Sequence, residues 1–285
     1  MRTYLWLDIF FSFLLGLAGC QKSEEEANVV PTQQVAPTKT LVTPMIQEAS
    51  GIADSKTVPG HLWVQEDSGN PAQLYLLAHT GAVLKKISIK GAENRDWEDM
   101  ALSGDRLYLA DIGDNSKTAR EYFIYHFKEP SAATETIRNV SVIRYQYPDG
   151  FHDAEAFLVD PKTKDILIFT KTDTLSRLYK LTYPYASTSL TTAKLVGNLP
   201  HPYVVSAALS PNGKEAIIKT YGALYRYAQK ANESLEEYLL KDFTTLPYTI
   251  EPQGESVTFA AADSGYFTLS EKGLASAVQL YFYKR

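Results

Sequence analysis

Five times along the chain an apolar strand runs into a polar tip: Leu62–Asp67, Leu107–Asp111, Ile166–Lys171, Ala216–Thr220 and Tyr266–Glu271. A short loop and an aromatic strand follow each one, marked by Leu74–Tyr75, Tyr122–Phe123, Leu178–Tyr179, Leu224–Tyr225 and Leu280–Tyr281. Each is preceded by a strand that opens on a polar residue, in order Ser50, Glu98, Glu155, Ser206 and Glu255. The steps between those five are 48, 57, 51 and 49 residues, the length of a four-stranded blade with its loops. One such unit cannot bury its apolar faces alone, so the units pack around a ring. The sequence predicts an all-β, five-bladed β-propeller over residues 40–285. An irregular β-sandwich and a six-bladed ring with one degenerate blade are the competing arrangements.

The ends of the repeat agree with five. Only 30 residues follow Glu255, enough for three strands of a blade and not for the fourth. The segment Thr40–Thr43 stands where every other repeat has a fourth strand leading in, so the N-terminal strand is expected to complete the last blade. Closing the ring in this way removes two exposed sheet edges. Composition fits the same picture: 19 Tyr, 12 Phe and recurrent Thr, Val and Ile favour strands, and no long stretch has helical periodicity.

Residues 1–39 read differently. Trp6–Leu17 is an apolar run too short to span a bilayer as a helix, preceded by Arg2 and followed by Leu17-Ala18-Gly19-Cys20. This is a signal-peptide pattern over 1–19, broken by Asp8, and Leu17–Cys20 resembles the lipobox of bacterial lipoproteins. Cys20 is the sole cysteine, so it forms no intramolecular disulfide and is the expected lipidation site. Residues 20–39 carry Glu24, Glu25 and Glu26 with Pro31 and Pro37, a polar composition that buries no core and reads as a tether. The acidic run resembles an outer-membrane export signal of Bacteroidetes lipoproteins; a plain solvated linker fits it equally. The expectation is a monomer in the bacterial cell envelope, held to the outer membrane by a lipid on Cys20, with the membrane face undecided. A net charge of −5 without a basic stripe argues against a nucleic-acid partner.

In a four-stranded blade the inner strand starts on the same face to which the loop between the second and third strands returns. The five inner-strand residues should therefore meet at the channel mouth, as candidate metal ligands: Ser50, Glu98, Glu155, Ser206 and Glu255. Around them fall the loop residues Asp67, Asp111, Asp114, Asn115, Lys171, Asp173 and Lys219, as candidate contacts to a small-molecule or polymeric ligand. Converging carboxylates repel unless neutralised, and an oxygen donor set without His or Cys suits Ca²⁺. A water-filled polar channel is the alternative. Other chemistry is poorly supported: there is no Gly-x-Ser-x-Gly elbow, and the five His show no metal-binding spacing. Asp111, Asp114 and Asn115 also fit ordinary turn chemistry.

The order Ser, Glu, Glu, Ser, Glu in successive blades is similar to the central calcium site of the five-bladed calcium-activated nucleotidases, the apyrases. That resemblance implies calcium at these five positions. It does not carry over the family's paired Arg or its Gly-Leu-Gly-Lys-type loop, because this chain has Lys171–Asp173 and Ile112–Asn115 there. The chain also resembles uncharacterised bacterial secreted propellers with an Asp-Trp-Glu-Asp and Asp-Ile-Gly-Asp-Asn signature, matched at Asp96–Asp99 and Asp111–Asn115. Two functions follow: a membrane-tethered binding or scaffold propeller organised by Ca²⁺, or a Ca²⁺-dependent phosphohydrolase. The second needs basic side chains converging on the metal face, with Arg120, Lys171, Arg177, Lys219 and Lys272 as candidates.

Overall fold

The computed structural model describes residues 36–172, 174–186 and 188–285. Its strands form five sheets. From the inside outward, blade 1 is Ala49–Asp54, His61–Glu66, Gln73–Ala78 and Val83–Ile89. Blade 2 is Trp97–Ser103, Arg106–Asp111, Tyr122–Lys128 and Ser141–Gln146, and blade 3 is Ala154–Val159, Ile166–Thr170, Ser176–Leu181 and Lys194–Leu199. Blade 4 is Val204–Leu209, Glu215–Thr220, Leu224–Ala228 and Phe243–Leu246. The inner strands neighbour one another in the order of blades 1 to 5 and back to 1, which closes the ring.

Blade 5 confirms the expected closure. Its inner strands Ser256–Phe259, Gly265–Leu269 and Gln279–Lys284 are completed by Thr38–Leu41, with Thr38 opposite Phe282 and Leu41 opposite Gln279. The strand takes in Thr38 and Lys39, upstream of residue 40 where the sequence places the start of the domain. Backbone pairing needs no apolar side chain at an edge, so polarity misplaced the boundary. The signal-peptide segment, most of the tether and Cys20 lie outside the described residues.

The packing explains why the repeat must close. Five buried apolar clusters occupy the five seams between neighbouring blades. Trp63 and Trp97 fill the seam between blades 1 and 2, and Phe157 and Tyr179 help fill the next. Inner strands such as Ala49–Asp54 and Ala154–Val159 are buried along their whole length, because a neighbouring blade covers each face. A missing blade would expose two of these faces at once.

Blades 1 and 2 each gain a fifth strand that the repeat did not announce. Thr136–Ile137 and Thr191–Thr192, in the loops of the following blades, pair in parallel with the outer strands of blades 1 and 2. They cover edges that would otherwise be open. A one-turn helix, Leu235–Leu239, lies in the outer loop of blade 4, started by a capping box between Ser234 and Glu237.

Candidate cation site on the acidic face

The channel mouth is built by a repeated irregularity. In blades 1 to 3 the inner strand carries a β-bulge near its start, and the extra residues are Ser50, Glu98 and Glu155. A bulge turns its extra residue out of the ladder and re-aims the side chain. Blade 4 has the same bulge, but the extra residue is Val205; Ser206 sits one place further on, opposite Lys219. Ser206 is thus out of register with the other four positions, and its hydroxyl serves another purpose: it donates to Asp99 Oδ1 at 3.0 Å. Matching blades by their first polar residue, rather than by the bulge, caused the slip.

Ser50 is also engaged elsewhere. Its buried hydroxyl donates to the Trp97 carbonyl at 2.9 Å and accepts from Gln65 Nε2 at 3.2 Å, which ties blade 1 to blade 2. The three glutamates divide. Glu155 is ion-paired with Lys171, whose ammonium also reaches the Tyr221 hydroxyl at 3.1 Å. Tyr221 in turn donates to Glu255 Oε1 at 2.8 Å. Burial works to lower the Lys171 ammonium, but Glu155 pushes it well up, so this side of the mouth holds a built-in cation.

Glu98 has no such partner. It is 5% exposed, and no donor among the described residues reaches its carboxylate. Its carboxylate lies beside those of Asp67 and Asp96, with one oxygen from each all within 4.8 Å of one another. Gly113 makes the room: a Cβ there would collide with the carboxylates of Glu98 and Asp96. Burial, then the charges of Glu155, Asp67, Asp96 and Glu255, push the Glu98 carboxyl well above its usual range. Burial likewise lifts Asp67 to about 6, with Asp96, Glu255 and Glu48 adding to it. Glu271 rises to about 8 through burial and the neighbouring Glu255 and Asp67.

Where the sequence expects Ser50, Glu98, Glu155, Ser206 and Glu255 to meet, the described residues bring the carboxylates of Asp67, Asp96 and Glu98 together. The spacing fits one hard cation: Ca²⁺–oxygen bonds of about 2.3–2.6 Å place two ligands on one ion at most about 5 Å apart. Three carboxylates with no His or Cys give the donor chemistry the same preference. One buried carboxylate oxygen at the mouth, Glu155 Oε2, has no hydrogen-bond partner. The sequence did not single out Asp96 as a candidate ligand, although it opens Asp96–Asp99; only the fold brings it beside Asp67.

The remaining loop candidates are mostly structural. Asp111 is buried, accepts from the Asp96 amide at 2.9 Å and faces Arg95 Nε at 3.3 Å; burial lifts it to about 6 against the pull of Arg95. Arg95, also unforeseen, donates to the Gly113 carbonyl at 2.9 Å and so holds the loop that lines the triad. Asp114 caps its own turn through Thr118 N, Ala119 N and the Tyr122 hydroxyl. Asn115 is exposed, and Asp173 lies outside the described residues.

The basic candidates do not converge. Lys219 is fully buried between blades 4 and 5, at 2.6 Å from the Tyr248 hydroxyl and 3.5 Å from Glu251, and burial lowers its ammonium to about 8. Arg177 binds Asp149 at 2.6 Å, Arg120 is exposed, and Lys272 is half-buried. Lys171 alone among the five joins the acidic mouth, and Glu155 neutralises it.

No family model matches the chain, and no curated protein matches it. Among solved structures it is similar to a luciferin-regenerating enzyme, at TM-score 0.50 and 11% identity over 87% of this chain and 95% of that one. It is also similar to an auxiliary nutrient binding protein from Bacteroides thetaiotaomicron, at TM-score 0.48 and 10% identity over 85% and 70% of the two chains. A third likeness is hydrazine synthase from Kuenenia stuttgartiensis, at TM-score 0.43 and 12% identity over 83% and 71%. At these identities the likeness extends to the fold alone.

Proposed function

We propose that this chain is a lipid-anchored binding propeller whose acidic mouth takes a hard divalent cation, Ca²⁺ first among them, at Asp67, Asp96 and Glu98. One observation carries the reading. Glu98 is a nearly buried side chain with no ion-pair partner among the described residues, and the carboxylates of Asp67 and Asp96 lie within reach of the same ion. A buried charge left in that state is costly, and a bound cation removes the cost. The bound ion would present its remaining coordination positions to oxygen atoms of a ligand at the mouth. Binding is favoured over phosphoryl transfer because the mouth is acidic and its one convergent cation is already paired.

Thr38 enters the outer strand of blade 5 at the end remote from the mouth.

The test is calorimetry on the full chain in detergent, titrated with Ca²⁺, Mg²⁺ and Mn²⁺ in turn. One ion is expected to bind and raise the melting temperature, with Glu98→Gln weakening it at least about tenfold, the loss of about 1.4 kcal/mol. If none of the three ions produces heat or a shift in melting, the mouth is a plain polar channel.

A further inference from the structure

A second opening lies on the opposite side of the molecule, at the seam between blades 5 and 1. It is a cleft of about 690 Å³ walled by Phe267, Leu280 and Phe282, with His79 on one side. The Phe267 ring lies 4.7 Å from that of Phe282 and 4.4 Å from the His79 imidazole, so three rings form a continuous aromatic wall. A volume in the few-hundred-Å³ range with apolar walls and a few placed polar atoms is the usual form of a small-molecule site.

The polar element is a fixed pair. Asp54 is 7% exposed, and both its oxygens are engaged: Oδ1 takes His79 Nε2 at 2.7 Å and Oδ2 takes the Ala261 amide at 2.7 Å. A carboxylate accepts, so in the neutral ring the proton sits on Nε2, and Nδ1 is left as an acceptor. Nδ1 has no partner among the described residues, and the side chain is about one-third exposed. An acceptor held in one orientation on an aromatic wall is suited to a single hydroxyl on an otherwise apolar ring.

We infer that this cleft is a binding site for a small aromatic alcohol, with the ring against Phe282, which Phe267 backs from the core, and the hydroxyl donating to His79 Nδ1. The inference is independent of the cation at the mouth, since the cleft shares no residue with the triad.

The experiment uses the full chain and 1-naphthol, followed by calorimetry and by the His79 ring-nitrogen resonances in a ¹⁵N-labelled sample. Saturable one-to-one binding is expected, with the Nδ1 resonance moving as the hydrogen bond forms. His79→Phe keeps an aromatic wall without the acceptor and should weaken 1-naphthol about tenfold. Thr40→Trp, on the edge strand lining the cleft, should block it by bulk. Absence of saturable binding to the unmutated chain overturns the site. So does binding that both variants leave unchanged, and so does tighter binding of 1-naphthoate, which would require Nδ1 to carry the proton.

Discussion

The hydroxyl of Ser206 in blade 4 donates to Oδ1 of Asp99 in blade 2, at 3.0 Å, with both residues fully buried. Asp99 also accepts from the Met100 amide at 2.9 Å, the Ala207 amide at 3.2 Å and the Phe157 amide at 3.4 Å. One carboxylate thus joins the inner strands of three blades. Burial pushes its carboxyl well above the usual range, while these four donors pull it down. Replacing Ser206 with Ala leaves a buried acceptor one donor short, which costs about 1–3 kcal/mol. At about 2–4 °C per kcal/mol for a domain of this size, the melting temperature should fall by roughly 2–12 °C. Asp99→Ala should cost more, because three amides and a hydroxyl lose their partner. Cation binding at the triad should survive in Ser206→Ala; a loss of binding with no loss of stability would return Ser206 to the ligand set.

Gly113 separates folding from binding in the opposite direction. A methyl group there meets the Glu98 and Asp96 carboxylates rather than the backbone of a blade. Gly113→Ala should weaken the cation at least about tenfold and leave the melting temperature of the cation-free chain within about 2 °C. Gly51 is the contrasting case, since a Cβ there would lie 2.8 Å from the Met100 amide nitrogen and 2.9 Å from the Asp99 carbonyl carbon. Gly51→Ala should therefore destabilise the fold itself. Paired melting curves and titrations of the two variants check both outcomes.

These contrasts show what the chain reveals of itself. The blade count and the closing strand were legible because an apolar strand ending in a polar tip repeats at a spacing near fifty residues, and each repeat must hide two faces. The general place of the acids was legible for the same reason. Their grouping was not. A β-bulge shifts register by one residue without any compositional mark, so Val205 and Ser206 exchange roles unseen. Whether a lysine at a strand tip reaches the axis, as Lys171 does, or is buried in a seam, as Lys219 is, depends on side-chain packing between blades that are distant in sequence. Asp96 and Asp67 come from different blades, so no local motif announces their meeting.

Lys171 occupies the half of the mouth that the triad leaves, paired to Glu155 and linked through Tyr221 to Glu255. Lys171→Met removes that internal cation and frees Glu155 Oε1 beside the already unpartnered Oε2. The cation-free chain should melt lower, because removing one partner of a buried ion pair leaves an uncompensated charge. Divalent-cation affinity should rise about tenfold or more, and Ca²⁺ should restore the lost stability. Unchanged or weaker affinity in the titration would show that Lys171 does not compete with the ion.

His201 provides a pH dependence separate from the acidic mouth. It is 2% exposed, stacks on Tyr225 with ring centres 3.6 Å apart, and lies 2.6 Å from the Tyr227 hydroxyl through Nε2. Burial lowers its imidazole from 6.5 to about 4. Between those values the unfolded chain binds a proton that the folded chain refuses, so stability is lost as pH falls from about 6.5 towards 4. The shift caps the effect at about 3 kcal/mol, and a Tyr227 hydroxyl free to turn and accept from the charged ring brings it to about 1–2 kcal/mol. The crowded carboxylates at the mouth act with the opposite sign, since their raised pKa values make the folded chain hold protons more tightly. A single melting curve mixes the two, and a difference separates them. His201→Phe keeps the ring against Tyr225 and carries no titrating group. It should be less stable than the unmutated chain at pH 7.5, having lost the Tyr227 hydrogen bond. It should recover about 1–2 kcal/mol relative to that chain by pH 4.5, as measured by urea unfolding at both values. A difference that stays constant with pH would place the acid sensitivity of this propeller elsewhere.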